Sequence, residues 1–524
     1  MRALGCAAAA CAMLVAAPAI AADPEPWPPS TPPGAGEPGP SNEPAAPVEI
    51  SPLPHEVEPS EPPAEAAPAA EVEARRPVEA ATPRATGDAG VVVVRSTPQR
   101  SGSGEYGEYG EYGSKDGQLF ARTSGNGIVL LPSARMEING TSVSTPDVYT
   151  TGQVLAIDRV RFDLAGWLGS KVYFDLSADV AYAFSLRHAD NFVAVAPWGD
   201  RAILQVGQFD APFTLENRTP DRYLDFYDRG PAIRGFAIPE NKDQGLMLHG
   251  TNPARNFYYA AAVLNGEGPA ASGVSGHVDV MGRAWIAPFS FRGPSILRGV
   301  TVGGSAWTGD RSGEAFQGQT TEGSYVFFTP LVWWTSGRMD SPVLRQQGRF
   351  VAGALELDAP IGRRFGVRAE GIAKRQDLEA FDTLHTTPSP MVGDLTLSGW
   401  AGYAEIWAWV FGSDLLGPVA APGMQLPQRL SDLRDTRAHG GLMFSARVDH
   451  ISETLTETAR GIGVGSGGET RFTAYTVGGS YWFTRRARLT VDYSLNLTDG
   501  HSAWLNGLGG KREQEVLGRL ALAL

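Results

Sequence analysis

Beyond Leu119 the chain alternates between apolar and polar residues over most of its length. Within 172–180, Val172, Phe174, Leu176, Ala178 and Val180 form one face, and Tyr173, Asp175, Ser177 and Asp179 form the other. Val160, Phe162 and Leu164 alternate with Arg159, Arg161 and Asp163. Phe365, Val367, Ala369 and Ala373 alternate with Arg364, Arg368, Glu370 and Lys374. The last stretch sets Val516, Gly518, Leu520, Leu522 and Leu524 against Arg519. A period of two sends successive side chains to opposite faces of a strand. Helical periodicity is nearly absent, and no apolar run reaches the roughly 18 residues of a membrane-spanning helix. The pattern predicts sixteen strands, near 126–139, 153–166, 171–183, 190–198, 201–209, 243–251, 256–265, 276–289, 297–308, 345–358, 362–375, 394–411, 440–452, 470–484, 487–498 and 513–524.

Alternation alone fits a soluble sandwich with its polar face in water, and equally a barrel with its apolar face in lipid. Three features select an all-β fold, a transmembrane antiparallel β-barrel of about 16 strands with both termini in the periplasm. First, short connections (167–170, 199–200, 252–255, 359–361, 485–486) alternate with long ones (140–152, 210–242, 309–344, 376–393, 453–469, 499–512). Short periplasmic turns and long outer loops follow this rule. Two stretches break it: 412–439 is long where a short turn is expected, and Tyr325–Trp334 reads as a strand inside an outer loop. Second, Trp167, Trp198, Trp407, Trp409, Phe411, Trp482 and Phe483 gather where strands meet short turns. Rings at that level are expected to form an interfacial girdle. Third, the chain ends on an amphipathic strand, EVLGRLALAL, suited to close onto the first; Leu524 stands where such barrels usually carry an aromatic residue.

Ahead of the barrel the composition shifts. Met1-Arg2, the Ala-rich apolar stretch from Leu4 to Ala17 and Ala19-Ile20-Ala21 read as an export signal over 1–21, cleaved after Ala21. Residues 23–100 hold 19 of the 39 prolines. A chain so poor in apolar residues cannot offset its ordering entropy, so 22–117 is expected to be a disordered Pro/Glu/Ala-rich linker. It contains the repeat GEYGEYGEY at 104–112 and a short apolar run, Val91–Val94, suited to adding a strand. Residues 22–116 carry 17 acidic against 6 basic residues, a net of −11, which leaves about −3 of the overall −13 for 117–524. The acidic balance describes the linker rather than the barrel. Both cysteines, Cys6 and Cys11, fall in the signal, so the exported chain has no thiol for a disulfide, a zinc site or a nucleophile.

One stretch departs from the strand pattern. ILQVGQFDAPFTLEN (203–217) begins as a strand, breaks at Asp210-Ala211-Pro212, and continues through Pro220, Pro231 and Pro239 to Asp243. A connection of about thirty residues is twice the length at which structureless loops become uncommon. Residues 155–270 resemble the phosphate-selective porin O/P family. The resemblance is carried by RVRFDLAGWLGSKVYFDLSADVA, QVGQFDAPFTLENRTPDRYLDFYDR, DQGLMLHG and NFYYAAAVLNGEG. LSGWAGYAEIWAWVFG, GGLMFSARVDH, TVGGSYWFTRRARLTVDY and the final strand are also similar, so it covers most of 126–524. The resemblance implies a sixteen-stranded, homotrimeric porin in the outer membrane of a Gram-negative bacterium. As partners it implies outer-membrane lipid, the barrel-assembly machinery and small inorganic anions, phosphate among them, as permeants. It also implies that 210–242 is the third outer loop, folded inward to narrow the pore.

A pore sorts ions by fixed charge at its narrowest point. The candidate anion-binding residues of the constriction are Arg218, Arg222, Arg229, Arg234 and Lys242, among Asp210, Glu216, Asp221, Asp225, Asp228 and Glu240. Candidate wall residues are Arg135, Arg159, Arg161, Arg364 and Arg368, with Lys374, Arg447, Arg488 and Arg519 also on polar faces, which they share with Glu137, Asp163, Asp175, Asp179 and Glu370. The near balance of sign leaves open whether these arginines filter anions or brace the loop. Two other functions stay in view: a general or cation-preferring porin, and an outer-membrane anchor whose Pro-rich arm contacts the cell wall or another periplasmic partner. A barrel enzyme is disfavoured, because the 8 histidines are scattered and neither H-x-x-x-H nor G-x-S-x-G occurs. No catalytic set, metal site, cofactor or nucleic-acid binding is expected.

Overall fold

In β1, Ile128–Thr145, and β2, Tyr149–Leu168, the alternating pattern becomes a hairpin, and it repeats around the molecule. The computed structural model describes residues 92–95, 110–115 and, with interruptions, 118–523; the interruptions are 146–148, 182–188, 237–241, 267, 270–277, 292, 315–317, 320–325, 328–342, 382–390, 414–425, 430–439, 460–468 and 499–511. After β2 come β3 (Val172–Asp179), β4 (Asn191–Val195), β5 (Ile203–Asp210), β6 (Lys242–Thr251), β7 (Phe257–Leu264) and β8 (Asp279–Ile286). They are followed by β9 (Thr301–Glu314), β10 (Val343–Ile361), β11 (Phe365–Phe381) and β12 (Met391–Phe411). The last four are β13 (Gly441–Ala459), β14 (Glu469–Thr484), β15 (Ala487–Thr498) and β16 (Arg512–Ala523). Each pairs antiparallel with the next, and β16 closes on β1 from Gln514↔Ser144 to Ala523↔Arg135. The expected barrel of 16 strands is the observed one.

The pleat sorts the side chains. On β15, Arg488, Thr490, Asp492, Ser494, Asn496 and Thr498 are buried, while Leu489, Val491, Tyr493 and Leu497 are exposed. Polar groups therefore face inward, and the apolar face turns out, as in a barrel set in lipid. Ile157, Leu355, Val448 and Val477 continue the outer face on other strands. No helix among the described residues is long and apolar enough to cross a membrane.

Several expected boundaries shift for a physical reason. A strand crosses the bilayer in about 9–11 residues, yet β12 runs from Met391 to Phe411. Above the membrane both faces meet water, so the apolar alternation fades while the hydrogen-bonded ladder continues. The connections expected at 140–152, 376–393 and 453–469 accordingly shrink to 146–148, 382–390 and 460–468. Tyr325–Trp334 is not a barrel strand: only Val326–Phe327 is paired, with Gly318–Gln319, inside the connection from β9 to β10. The signal at 1–21 and residues 22–91 of the expected linker lie outside the described residues. Order begins before residue 118, however. Val92–Arg95 pairs with Gly110–Lys115, which pairs with Gln118–Thr123, which touches β1 at Ala121↔Leu130 and Arg122↔Val129.

The aromatic girdle also needs correcting. Trp198, Phe411 and Phe483 are exposed as expected, but Trp167, Trp409 and Trp482 are buried. Trp167 packs with Phe120, Tyr173 and Ile203, and Trp409 and Trp482 pack with Met443. In each case strand parity turns the ring to the inner face, whatever its height in the membrane.

Candidate functional site

The connection from β5 to β6, residues 211–241, starts where Pro212 ends the ladder for want of an N–H. Phe213 then packs edge-on against Trp307, an inward residue of β9, with ring centroids 5.4 Å apart. Thr214 takes φ of +60°, a conformation rare for a β-branched residue. Immediately after it, the N–H groups of Leu215 and Glu216 both donate to the Glu370 carboxylate of β11, at 2.6 and 2.7 Å. The Tyr403 hydroxyl of β12 donates to the same carboxylate at 2.8 Å, and the Thr214 N–H donates to Ser305 of β9 at 3.1 Å. The strained residue is thus held by bonds to β9 and β11, with β12 orienting the Glu370 carboxylate.

Further along, the same loop reaches the remaining wall. Glu216 pairs with Arg447 of β13 at 2.7 Å. Asp221 pairs with Arg159 of β2 at 2.5 Å, with Arg135 of β1 at 3.6 Å and with Arg229 of its own loop at 2.8 Å. Arg488 of β15 donates to the Leu224 carbonyl at 2.6 Å, and Asp225 pairs with Arg368 of β11 at 2.9 Å. The Tyr227 N–H donates to Asp492, while Arg519 of β16 lies 4.4 Å over the Tyr227 ring. At the start of α1, Pro231–Phe236, the Ala232 N–H donates to Asp449 at 3.3 Å. Gly230 is needed just before it: a Cβ there would stand 2.3 Å from Asp449 Oδ1 and 3.0 Å from Arg447 Cζ. The loop therefore lies among inward faces on opposite sides of the barrel, and residues 211–219 are all buried.

This is a charge-matched clamp. Burial opposes ionisation of Asp221, but the guanidinium groups of Arg229, Arg159 and Arg135 outweigh it and hold the carboxyl well below the usual carboxylate range. Burial likewise opposes the charge on Arg229, and Asp221 and Asp228 outweigh it.

The candidate cations divide clearly. Arg218 is fully buried and donates to the Asp210 carbonyl and, at 3.4 Å, to the Tyr258 hydroxyl. Arg229 donates to the carbonyls of Glu216 and Thr219 besides pairing with Asp221. Arg234 lies 3.5 Å from Asp228, and Lys242 bridges Asp190 and Asp210 at 2.7 and 2.6 Å. Arg222 differs. It is exposed, its guanidinium lies 4.8 Å over the Tyr223 ring, and among the described residues no carboxylate is within ion-pair distance. On the wall, Arg135 and Arg159 hold Asp221, Arg368 joins Asp225 to Asp358 and Glu405, and Arg161 is buried opposite Arg135. Arg364 is not on the wall: it sits exposed in the turn 362–364, because the ladder resumes only at Phe365. Arg447 and Arg488, on polar faces as expected, also touch the loop. Asp449 and Asp492 touch it too and were missed by the sequence reading; strand parity was the signal, since both occupy inward positions beside a charge or a small polar residue.

Residues 141–323 match the phosphate-selective porin O and P family, a segment that includes this loop and the strands on either side of it. The barrel is that of a porin. Its resemblance to that family, expected from the sequence motifs, is borne out. The family and the lipid-facing outer surface place the porin in the outer membrane of a Gram-negative bacterium, as a channel for passive diffusion. No curated protein matches the chain. Among solved structures it is similar to OmpT (in-vitro folded), an outer membrane protein of Vibrio cholerae, at TM-score 0.43 and 9% identity over 75% of this chain and 98% of that one. It is similar also to the Salmonella typhi OmpF complex with daunomycin, at TM-score 0.44 and 11% identity over 76% and 98% of the two chains. The outer membrane channel DcaP of Acinetobacter baumannii gives TM-score 0.39 and 9% identity over 76% and 98%. These likenesses are too distant to bear on selectivity.

Proposed function

We propose that this porin passes small polar solutes, inorganic anions such as phosphate among them, through a pore constricted by the loop 211–241, with an anion preference set chiefly by Arg222. The observation that carries the reading is the contrast between Arg222, exposed without a carboxylate partner among the described residues, and the ion-paired or carbonyl-bound cations around it. Charges already matched by a neighbour contribute little to the field felt by a passing ion, whereas an unmatched guanidinium contributes fully. Arginine also suits phosphate oxygens through its fork of donors. The pairing of the other cations supports a modest preference rather than a dedicated phosphate filter, which keeps a general porin as the second reading.

The proposal includes a cleaved signal over 1–21, a Pro-rich linker from 22, homotrimeric assembly, insertion by the barrel-assembly machinery and contact of the arm with the cell wall. The test is the reversal potential of the purified protein in a planar bilayer across a KCl gradient near 0.1 M, where the Debye length is about 10 Å. The wild type is expected to prefer chloride and to lose current when phosphate is added. Arg222→Gln should cut the anion preference about fivefold, since a unit charge at about 4 Å in water is worth about 1 kcal/mol. A cation-preferring wild type, or an Arg222→Gln channel with unchanged selectivity, overturns the assignment.

A further inference from the structure

On the outside of the barrel the apolar face ends at a defined height. Counting up β11 from its short turn, the outward residues are Phe365, Val367, Ala369, Gly371 and Ala373, and the next is Arg375. On β10 they are Ala359, Leu357, Leu355, Gly353 and Val351, and the next is Arg349. The climb from Phe365 to Arg375, about ten residues at about 3.4 Å each and a tilt of about 40°, is about 26 Å, against an apolar band about 25 Å tall. Both arginines therefore stand where the hydrocarbon of the outer leaflet gives way to headgroups. Trp400 of β12 marks the same level. It pairs with Ala373, is exposed on the outer face, and its ring centroid lies 4.9 Å from that of His450 on β13. Such rings collect at the headgroup boundary.

The two arginines are neighbours. Arg375 pairs with Val351 across β10 and β11, and Arg349 stands two positions from Val351 on the same outer face. A diagonal of this kind spans about 7–8 Å, within reach of two long side chains. Two carboxylates are near. Asp310 of β9 stands opposite Arg349, and Asp377 follows Arg375 by two positions and accepts from Thr396 at 3.2 Å. Among the described residues, however, neither guanidinium has a hydrogen bond or an ion pair. Ser398, directly opposite Arg375 on β12, is exposed and adds a hydroxyl donor. Two adjacent guanidinium groups repel each other, and an anion between them turns that repulsion into attraction. Their forks of donors match phosphate oxygens.

We propose that Arg349, Arg375 and Ser398 form an external site that grips a phosphate of the phosphorylated glycolipid of the outer leaflet, with Trp400 and the apolar face below them against its acyl chains. Height, charge and the surface beneath together select a lipid. A phosphate ion in solution would meet the donors alone, whereas a lipid also covers Val351 and Leu355, both exposed under the arginines. The site is separate from permeation. The residues that alternate with it, Phe350, Lys374 and Gln376, are the buried ones that face inward, so nothing in the site touches the lumen.

The full-length protein is stripped of lipid in detergent, and its binding of bisphosphorylated lipid A in EDTA is measured by native mass spectrometry. Arg349→Gln/Arg375→Gln is expected to weaken binding about 25-fold, from a factor of about five for each arginine at an anionic lipid surface. Dephosphorylated lipid A should bind the wild type as weakly as the bisphosphorylated lipid binds the variant. Arg375→Lys keeps the charge and loses the fork, so an intermediate affinity is expected. Arg512→Gln, on the exposed outer face of β16, should leave affinity unaltered. Heat-modifiable migration in detergent gels checks that each barrel is folded, and the double variant should keep the wild-type conductance and reversal potential. Equal affinity of the folded double variant and the wild type, or equal binding of the two lipids, overturns the site. Displacement of the lipid by millimolar inorganic phosphate overturns the choice of a lipid. Binding seen only with added calcium overturns the arginines in favour of a cation bridging Asp310 and Asp377.

Discussion

Replacing Asp221 by Asn removes the charge at the centre of the tightest contact between loop and wall. Its carboxylate faces Arg159 at 2.5 Å, Arg229 at 2.8 Å and Arg135 at 3.6 Å. At an effective dielectric of about 20, a unit pair near 4 Å attracts by about 4 kcal/mol, and desolvation offsets most of that. Removing one partner from a buried pair costs about 3–5 kcal/mol. The low end, about 3 kcal/mol, applies here. Asp221 keeps 20% of its side-chain surface exposed, and Arg159 retains Asp179 at 3.5 Å and Glu137 at 3.7 Å. Arg229 retains the backbone carbonyls of Glu216, Asn217 and Thr219. The barrel ladders do not depend on this contact, so sheet content and heat-modifiable migration should stay as in the wild type. The loop should loosen, which single-channel recording reads as added open-state noise. The lumen also gains one net positive charge, so the anion-to-cation permeability ratio should rise by up to about fivefold near 0.1 M salt. A ratio that stays constant or moves toward cations, with quiet openings, refutes the clamp.

The pH dependence follows from the same residue. A carboxyl whose folded value is depressed stabilises the fold above its unfolded value of about 4, and that contribution is lost only as pH falls through the folded value. Asp221 is held well below the usual range, by charges that outweigh its burial. The wild type should therefore keep quiet openings from neutral pH down to about 4, where the Asp221→Asn channel is already noisy.

Two further substitutions separate bracing from filtering and test the outer face. Arg218→Met removes a fully buried guanidinium bonded to the Asp210 carbonyl and the Tyr258 hydroxyl. It should lower thermal stability by about 2 kcal/mol, the usual worth of hydrogen bonds from a charged group, and leave ion selectivity unaltered; a changed reversal potential would move Arg218 back among the filter residues. Val491→Arg puts a charge on the exposed side of β15, next to the buried Asp492. Near the bilayer midplane that costs about 2–4 kcal/mol, so less folded barrel should reach the outer membrane; unchanged yield would contradict a lipid-facing Val491.

The barrel was legible because each of its strands solves one physical problem twice, apolar outward and polar inward. The expected span 487–498 coincides with β15. Legibility failed where that problem disappears. Above the membrane the two faces are equivalent, so β12 and β13 run further than their alternation suggests. At the rim, height and facing are separate properties: Trp167 and Trp198 occupy similar turn-flanking positions, yet one is buried inside and the other exposed. Composition places an aromatic residue near a turn, and only strand parity says which way it points.

The same distinction governs the site. Counting charges in the loop treats Arg218, Arg222, Arg229 and Arg234 as equivalents. What separates them is whether a partner lies within reach, and those partners come from strands far away in sequence: Asp221 meets Arg135 and Arg159 upstream, and Glu216 meets Arg447 downstream. A loop crossing a wet lumen must replace the water it displaces around each backbone N–H and each charge, or lose their solvation free energy. Glu370, Asp449 and Asp492 do this for N–H groups, and Arg159, Arg368 and Arg447 do it for carboxylates. The cations thereby committed to holding the loop are removed from the field that a permeating ion experiences. On the function proposed above, selectivity is set by the remainder after bracing rather than by the loop's composition, which is why Arg222, exposed and without a carboxylate partner among the described residues, is the residue whose substitution tests it.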